Sequence, residues 1–92
     1  MSSHVEHAIE GTVELSAKLL QDIQNQKMDI KIAKMAIHAR LVQILSLMGM
    51  NAAPSPWVRK KKTAEDLKQA IETVHSKDQV IDVIRKVNEQ LK

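Results

Sequence analysis

Helix breakers are scarce in this chain and confined to a few places. The two glycines stand at 11 and 49 and the two prolines at 54 and 56, so 12–48 and 57–92 run free of either residue. Along both stretches apolar residues recur every three or four positions, the period of a helix face rather than the alternation of a strand. The chain is therefore expected to be all-α, a small four-helix domain.

The spacing predicts a first helix over about residues 3–25. Ser3 and Glu6 have the separation of a capping box, and Val5, Ile9, Val13, Ala17, Leu20 and Ile23 form one stripe. Gly11 falls inside this pattern and weakens a helix by roughly 1 kcal/mol relative to Ala. The stripe lapses at "QNQKMD", residues 24–29, which reads as a tight turn with Asp29 as the N-cap of a second helix over 30–48.

That second helix carries two apolar faces. Ile30, Ala33, Ile37, Leu41, Ile44 and Met48 share one side at 100° per residue. Met28, Ile32, Met35, Ala39 and Val42 lie nearly opposite, with Lys27, Lys31, Lys34 and His38 in a row between them. A helix at a protein surface needs a single apolar stripe, so one with two is expected to be covered on both sides. In a chain with little material to spare, the second cover is expected from another copy. The expectation is a homodimeric helical bundle centred on the second helix, with Met28, Ile32, Met35, Ala39 and Val42 as its self-association face. Gly49 stands where a left-handed C-terminal cap belongs.

Residues 50–62 read as a Pro-containing basic joint, because prolines at 54 and 56 favour an extended or turning path. Thr63 and Asp66 mark the start of a third helix over 64–75, with Leu67, Ala70, Ile71 and Val74 on one side. Ser76 and Gln79 repeat the signal for a fourth over 77–91, with Val80, Ile81, Ile84, Val87 and Leu91 inward. Ninety-two residues with 43% hydrophobic content suit one domain with one core. Phe and Tyr are absent and Trp57 is the single aromatic, so that core is aliphatic, with five Met to fill gaps.

Cysteine is absent, which excludes disulfides and thiolate metal sites and fits a reducing compartment. No secretory pattern opens the chain. The most apolar window, 28–50, carries Lys31, Lys34, His38 and Arg40, too much charge for a bilayer span. A cytoplasmic protein is expected. Charge is balanced over 1–50, with five bases and five acids, and nearly balanced over 63–92, with five and six. The net +3 comes from Arg59, Lys60, Lys61 and Lys62. A basic isoelectric point near 9.3 thus reflects one tetrapeptide and does not by itself indicate nucleic acid.

No phosphate loop, nucleophile elbow or HExxH motif is present, and no enzyme activity or cofactor is expected. Glu6, Glu10 and Glu14 recur every four residues as a solvated or ion-paired face, with Lys27, Lys31 and Lys34 as its expected counter-row. His4 and His7 lie one turn apart but lack a third ligand, and Ser2-Ser3-His4 suits Cu(II) or Ni(II) only as any free terminus of that pattern does. No functional metal site is expected, and His38 and His75 read as structural or solvated. The last two helices fit a helix-turn-helix poorly, because Asp78 would face phosphates. Trp57 with Arg59, Lys60, Lys61 and Lys62 is the candidate polyanion site, by stacking and phosphate contact. An anionic membrane surface or a nuclear-import role suits the same run. Two functions follow: a regulator or adaptor that binds a protein partner and itself, or a nucleic-acid-binding regulator using 57–62. In both, Trp57 is expected to pack on the helices while all four cations project outward.

Overall fold

The computed structural model describes the backbone of residues 2–50 and 55–92 and the side chains of residues 4–49 and 59–92. Four helices follow in order: α1 (Ser2–Gln24), α2 (Ile30–Met50), α3 (Ser55–Thr73) and α4 (Lys77–Gln90). No strand occurs among the described residues. Each helix packs on the next, and α4 returns to α1; α2 and α4 touch across the middle, whereas α1 and α3 do not meet among the described residues. The bundle measures 39 × 22 × 18 Å.

The turn between α1 and α2 falls where the apolar stripe lapses. Lys27 N–H donates to the Asp22 carbonyl at 2.8 Å and Gln26 N–H to the Ile23 carbonyl at 3.1 Å, the paired bonds of a Schellman motif. This places Gln26 in the left-handed region, at φ 60°. Asp29 caps α2 as its sequence position predicts, its Oδ1 accepting from Lys31 N–H at 2.8 Å.

The inner face of α2 is fully buried: Ala33, Ile37, Leu41 and Ile44 are 0% exposed. Against it and one another pack Val5, Ile9, Leu19 and Ile23 of α1, Ala64, Leu67 and Ile71 of α3, and Val80, Val83, Ile84 and Val87 of α4. Each such Val, Leu or Ile contributes about 1.5–3 kcal/mol by leaving water.

On α1 the buried seam differs from the apolar stripe. Thr12 and Ser16 are fully buried, Ala17 is exposed, and Val13 and Leu20 are half-buried. The hydroxyls are buried because each has a main-chain acceptor: Thr12 Oγ1 donates to the Ala8 carbonyl at 2.7 Å and Ser16 Oγ to the Val13 carbonyl at 2.6 Å. Asn88 Nδ2 of α4 then donates to Ser16 Oγ at 3.2 Å and to the Val13 carbonyl at 3.3 Å, fixing the register of the two helices.

α3 starts nine residues before the expected 64, so residues 55–62 are helical and not a joint. Pro56 sits in the first turn, where a missing N–H costs nothing, and no breaker follows it. Thr63 is inside the helix, its Oγ1 donating back to the Arg59 carbonyl at 3.0 Å, so the TxxD spacing is not a cap here. The helix ends at Thr73, not 75. Gly49 likewise lies inside α2, which runs to Met50 with no glycine in the left-handed region. The Ser3–Glu6 capping box lies outside the described side chains. The Ser76–Gln79 box of α4 is formed on both sides, Gln79 N–H donating to Ser76 Oγ at 3.2 Å.

Candidate interaction surface

The second apolar face of α2 is open to solvent. Ile32 is 56% exposed, Met35 71% and Val42 39%, with Ala39 exposed between them. Met28 departs from the expected set: it precedes α2 and is half-buried against the core. Exposed Leu, Ile and Met are ordinary when scattered. Here they are aligned on one helix at steps of three, four and three, the spacing of a seam between two helices.

The edges of this face are held by contacts with α1 and α3. On the α3 edge, Lys34 Nζ donates to the Val74 carbonyl at 2.6 Å, and His38 Nε2 donates to Glu72 Oε2 at 2.9 Å. Lys68 Nζ joins the same Glu72 oxygen at 3.1 Å. The His38 and Lys68 hydrogen bonds lower the Glu72 pKa below its ordinary 4.5. Farther along, Leu45 borders a shallow cleft of about 340 Å³ with Glu65, Lys68, Gln69 and Glu72. On the opposite edge, Arg40 crosses α1 at Gly11, where a Cβ would meet its Nη1 at 3.5 Å. The basic row beside the α2 face is thus partly structural, a role that needs α3 residues far away in sequence.

The four-cation run divides. Lys60 turns toward α4, its Nζ donating to the main-chain oxygens of Leu91 and Lys92 at 2.8 Å each. This corrects the expectation that all four project outward. The end of α4 presents unpaired carbonyls and the negative end of the helix dipole, and an ammonium satisfies both. Arg59, Lys61 and Lys62 are exposed and their side chains make no hydrogen bond or ion pair among the described residues. Trp57 belongs to the first turn of α3, and its side chain lies outside the described residues, as does its expected packing.

Glu6, Glu10 and Glu14 do not meet the Lys27–Lys31–Lys34 row. They line a cleft of about 370 Å³ between α1 and the end of α4, with Ile9, Val13 and Leu91 at its floor and Lys60 and Lys92 on its rim. His7 Nδ1 approaches Glu10 Oε2 at 4.0 Å in solvent. Among the described residues no three His, Asp or Glu side chains converge as metal ligands. Ile30–Gly49 is long and apolar enough to cross a bilayer by length and composition alone. The core helix of a soluble protein meets the same criterion, and one face of α2 is buried here, with Lys34 and His38 tied to α3. No protein family, curated protein or solved structure matches the chain.

Proposed function

We propose that the chain is a non-enzymatic helical interaction module, a regulator or adaptor whose working surface is the outward face of α2 and whose partner is a protein. The observation that carries this reading is the open stripe of Ile32, Met35, Ala39 and Val42 on a helix whose other side is the core. Aligned apolar side chains rimmed by charge gain free energy when a partner removes them from water. The test is capture from the native host, with and without nuclease, using the wild-type chain and a Met35→Lys/Val42→Lys variant as baits. Partners held by the wild type, lost by the variant and indifferent to nuclease support the reading; equal capture by both baits overturns it.

A second reading rests on Arg59, Lys61 and Lys62, which are exposed in the N-terminal half of α3 and have no partner among the described residues. As a nucleic-acid contact these cations would release about three counterions, a salt slope of roughly −3 per chain. Nuclease-sensitive capture that survives Met35→Lys and fails when Arg59, Lys61 and Lys62 become Gln favours this reading over the first.

A further inference from the structure

We infer that the cleft between α1 and the end of α4 is a binding site for an aliphatic zwitterion, a small molecule whose ammonium and carboxylate are separated by a short hydrocarbon body. The site shares no residue with the open stripe of α2, so the inference stands whether or not that stripe binds a protein.

The first argument is the division of charge across the cleft. Its α1 rim is acidic: Glu6, Glu10 and Glu14 stand four residues apart, about 6 Å along the helix at each step. Like charges at that spacing repel one another. Among the described residues the row has one ion-pair contact, His7 Nδ1 at 4.0 Å from Glu10 Oε2. The facing rim is basic. The Lys60 ammonium has three donors, and two go to the main-chain oxygens of Leu91 and Lys92 at 2.8 Å each. Its remaining donor has no acceptor among the described residues, and the Lys92 side chain on the same rim makes no ion pair there. The rims are opposite in sign, yet no ion pair joins them across the cleft. A ligand that bridges them must offer a cation to α1 and an anion to Lys60 and Lys92.

The second argument is the floor. Between the rims lie Ile9, Val13 and Leu91, apolar throughout. Ile9 and Leu91 belong to the core, and Val13 packs against it, so the floor is fixed by the fold. A hydrocarbon body laid on it is removed from water, whereas an inorganic ion or a polyol leaves it uncovered. A simple amine satisfies only the acidic rim, and a simple carboxylate only the basic one. The cleft's volume of about 370 Å³ is at the small end of the range for small-molecule sites, roughly 300–1,000 Å³, and suits a free molecule of this kind.

The test follows the backbone amide resonances of the full chain as ε-aminocaproate is added, with hexylamine and caproate as probes that keep one charge each. ε-Aminocaproate is expected to bind with a Kd on the order of 1 mM and to shift amides of residues 6–14, Lys60 and 91–92. Hexylamine and caproate are each expected to bind about tenfold more weakly. With Glu6, Glu10 and Glu14 all changed to Gln, caproate is expected to bind as before, and ε-aminocaproate no better than caproate. Removing like charges leaves that helix intact, which circular dichroism checks. Lys60→Gln with Lys92→Gln is expected to do the converse, leaving hexylamine unchanged and ε-aminocaproate no better than hexylamine. If that pair loses helicity, Lys92→Gln alone makes the comparison, with a smaller loss in the same direction. No shift up to about 50 mM ε-aminocaproate overturns the site. Hexylamine binding as tightly as ε-aminocaproate overturns the zwitterion and reduces the cleft to an acidic face. Shifts centred on other residues overturn the cleft as the place of binding. Binding of Nα-acetyllysine, a stand-in for the terminal lysine of a polypeptide, without binding of ε-aminocaproate overturns the free small molecule as the ligand.

Discussion

Lys60 of α3 and Leu91 at the end of α4 are joined across 31 positions of sequence by a 2.8 Å bond from ammonium to carbonyl, with Lys92 as the second acceptor. One cation in a run of four is therefore part of the fold. Lys60→Gln is expected to destabilise the chain by about 1 kcal/mol, the scale of a charged hydrogen bond at a half-exposed site. Lys61→Gln and Lys62→Gln are expected to stay within about 0.5 kcal/mol. Urea unfolding of the three variants makes the comparison, and equal effects would show that Lys60 has no special role.

The two faces of α2 are expected to respond differently to the same truncation. Ile37 is fully buried, and Ile37→Ala is expected to cost about 2–5 kcal/mol by loss of transfer free energy and by the cavity left behind. Met35 is 71% exposed, and Met35→Ala is expected to change monomer stability by no more than about 0.5 kcal/mol. Unfolding measured at low protein concentration, where a dimer contributes nothing, separates the two.

Gln26 adopts a left-handed conformation that costs an ordinary residue about 1 kcal/mol and glycine almost nothing. Gln26→Gly is expected to raise stability by about 0.5–1 kcal/mol, reduced somewhat by the greater freedom of glycine in the unfolded chain. A thermal midpoint that falls would show that the Gln26 side chain contributes more than its backbone costs.

Acid is expected to loosen the link between α2 and α3. Folding lowers the pKa of Glu72, chiefly through the His38 hydrogen bond and then through Lys68, so the folded state favours the ionised carboxylate. That stabilisation is in place above the ordinary value of 4.5 and is lost as pH falls below it through the folded value. Glu72→Gln is expected to flatten the decline of the urea midpoint as pH is lowered from above 4.5 toward about 3. An unchanged acid limb in the variant would show that other carboxylates govern it.

Local signals reached local structure. The lapse at 24–29, the Asp29 cap and the Ser76–Gln79 box each act within a few residues, and all three are present. The two apolar stripes of α2 are legible in the spacing; one lies in the core and the other is open in the single chain, except for Met28, which is half-buried against the core. What the sequence left illegible depends on distant partners. Lys60 cannot be told from Lys61 without α4, nor His38 from a solvated edge residue without Glu72. Thr12 and Ser16 are buried through main-chain acceptors that spacing does not reveal, and the further partner of Ser16, Asn88, is more than 70 positions away. The start of α3 departs from the sequence expectation for another reason: proline breaks a helix in its interior, and Pro56 lies in a first turn, where it breaks nothing.

The circuit of packed helices has an uneven cost in chain entropy. Three of its seams, α1 on α2, α2 on α3 and α3 on α4, join elements that are consecutive in the chain and need only short closures. The fourth, α1 on α4, brings together residues as far apart as Ser16 and Asn88, and closing that loop restricts nearly the whole polypeptide. Such a seam gains its contacts only after the intervening helices have shortened the path between its two sides, which places it late in assembly.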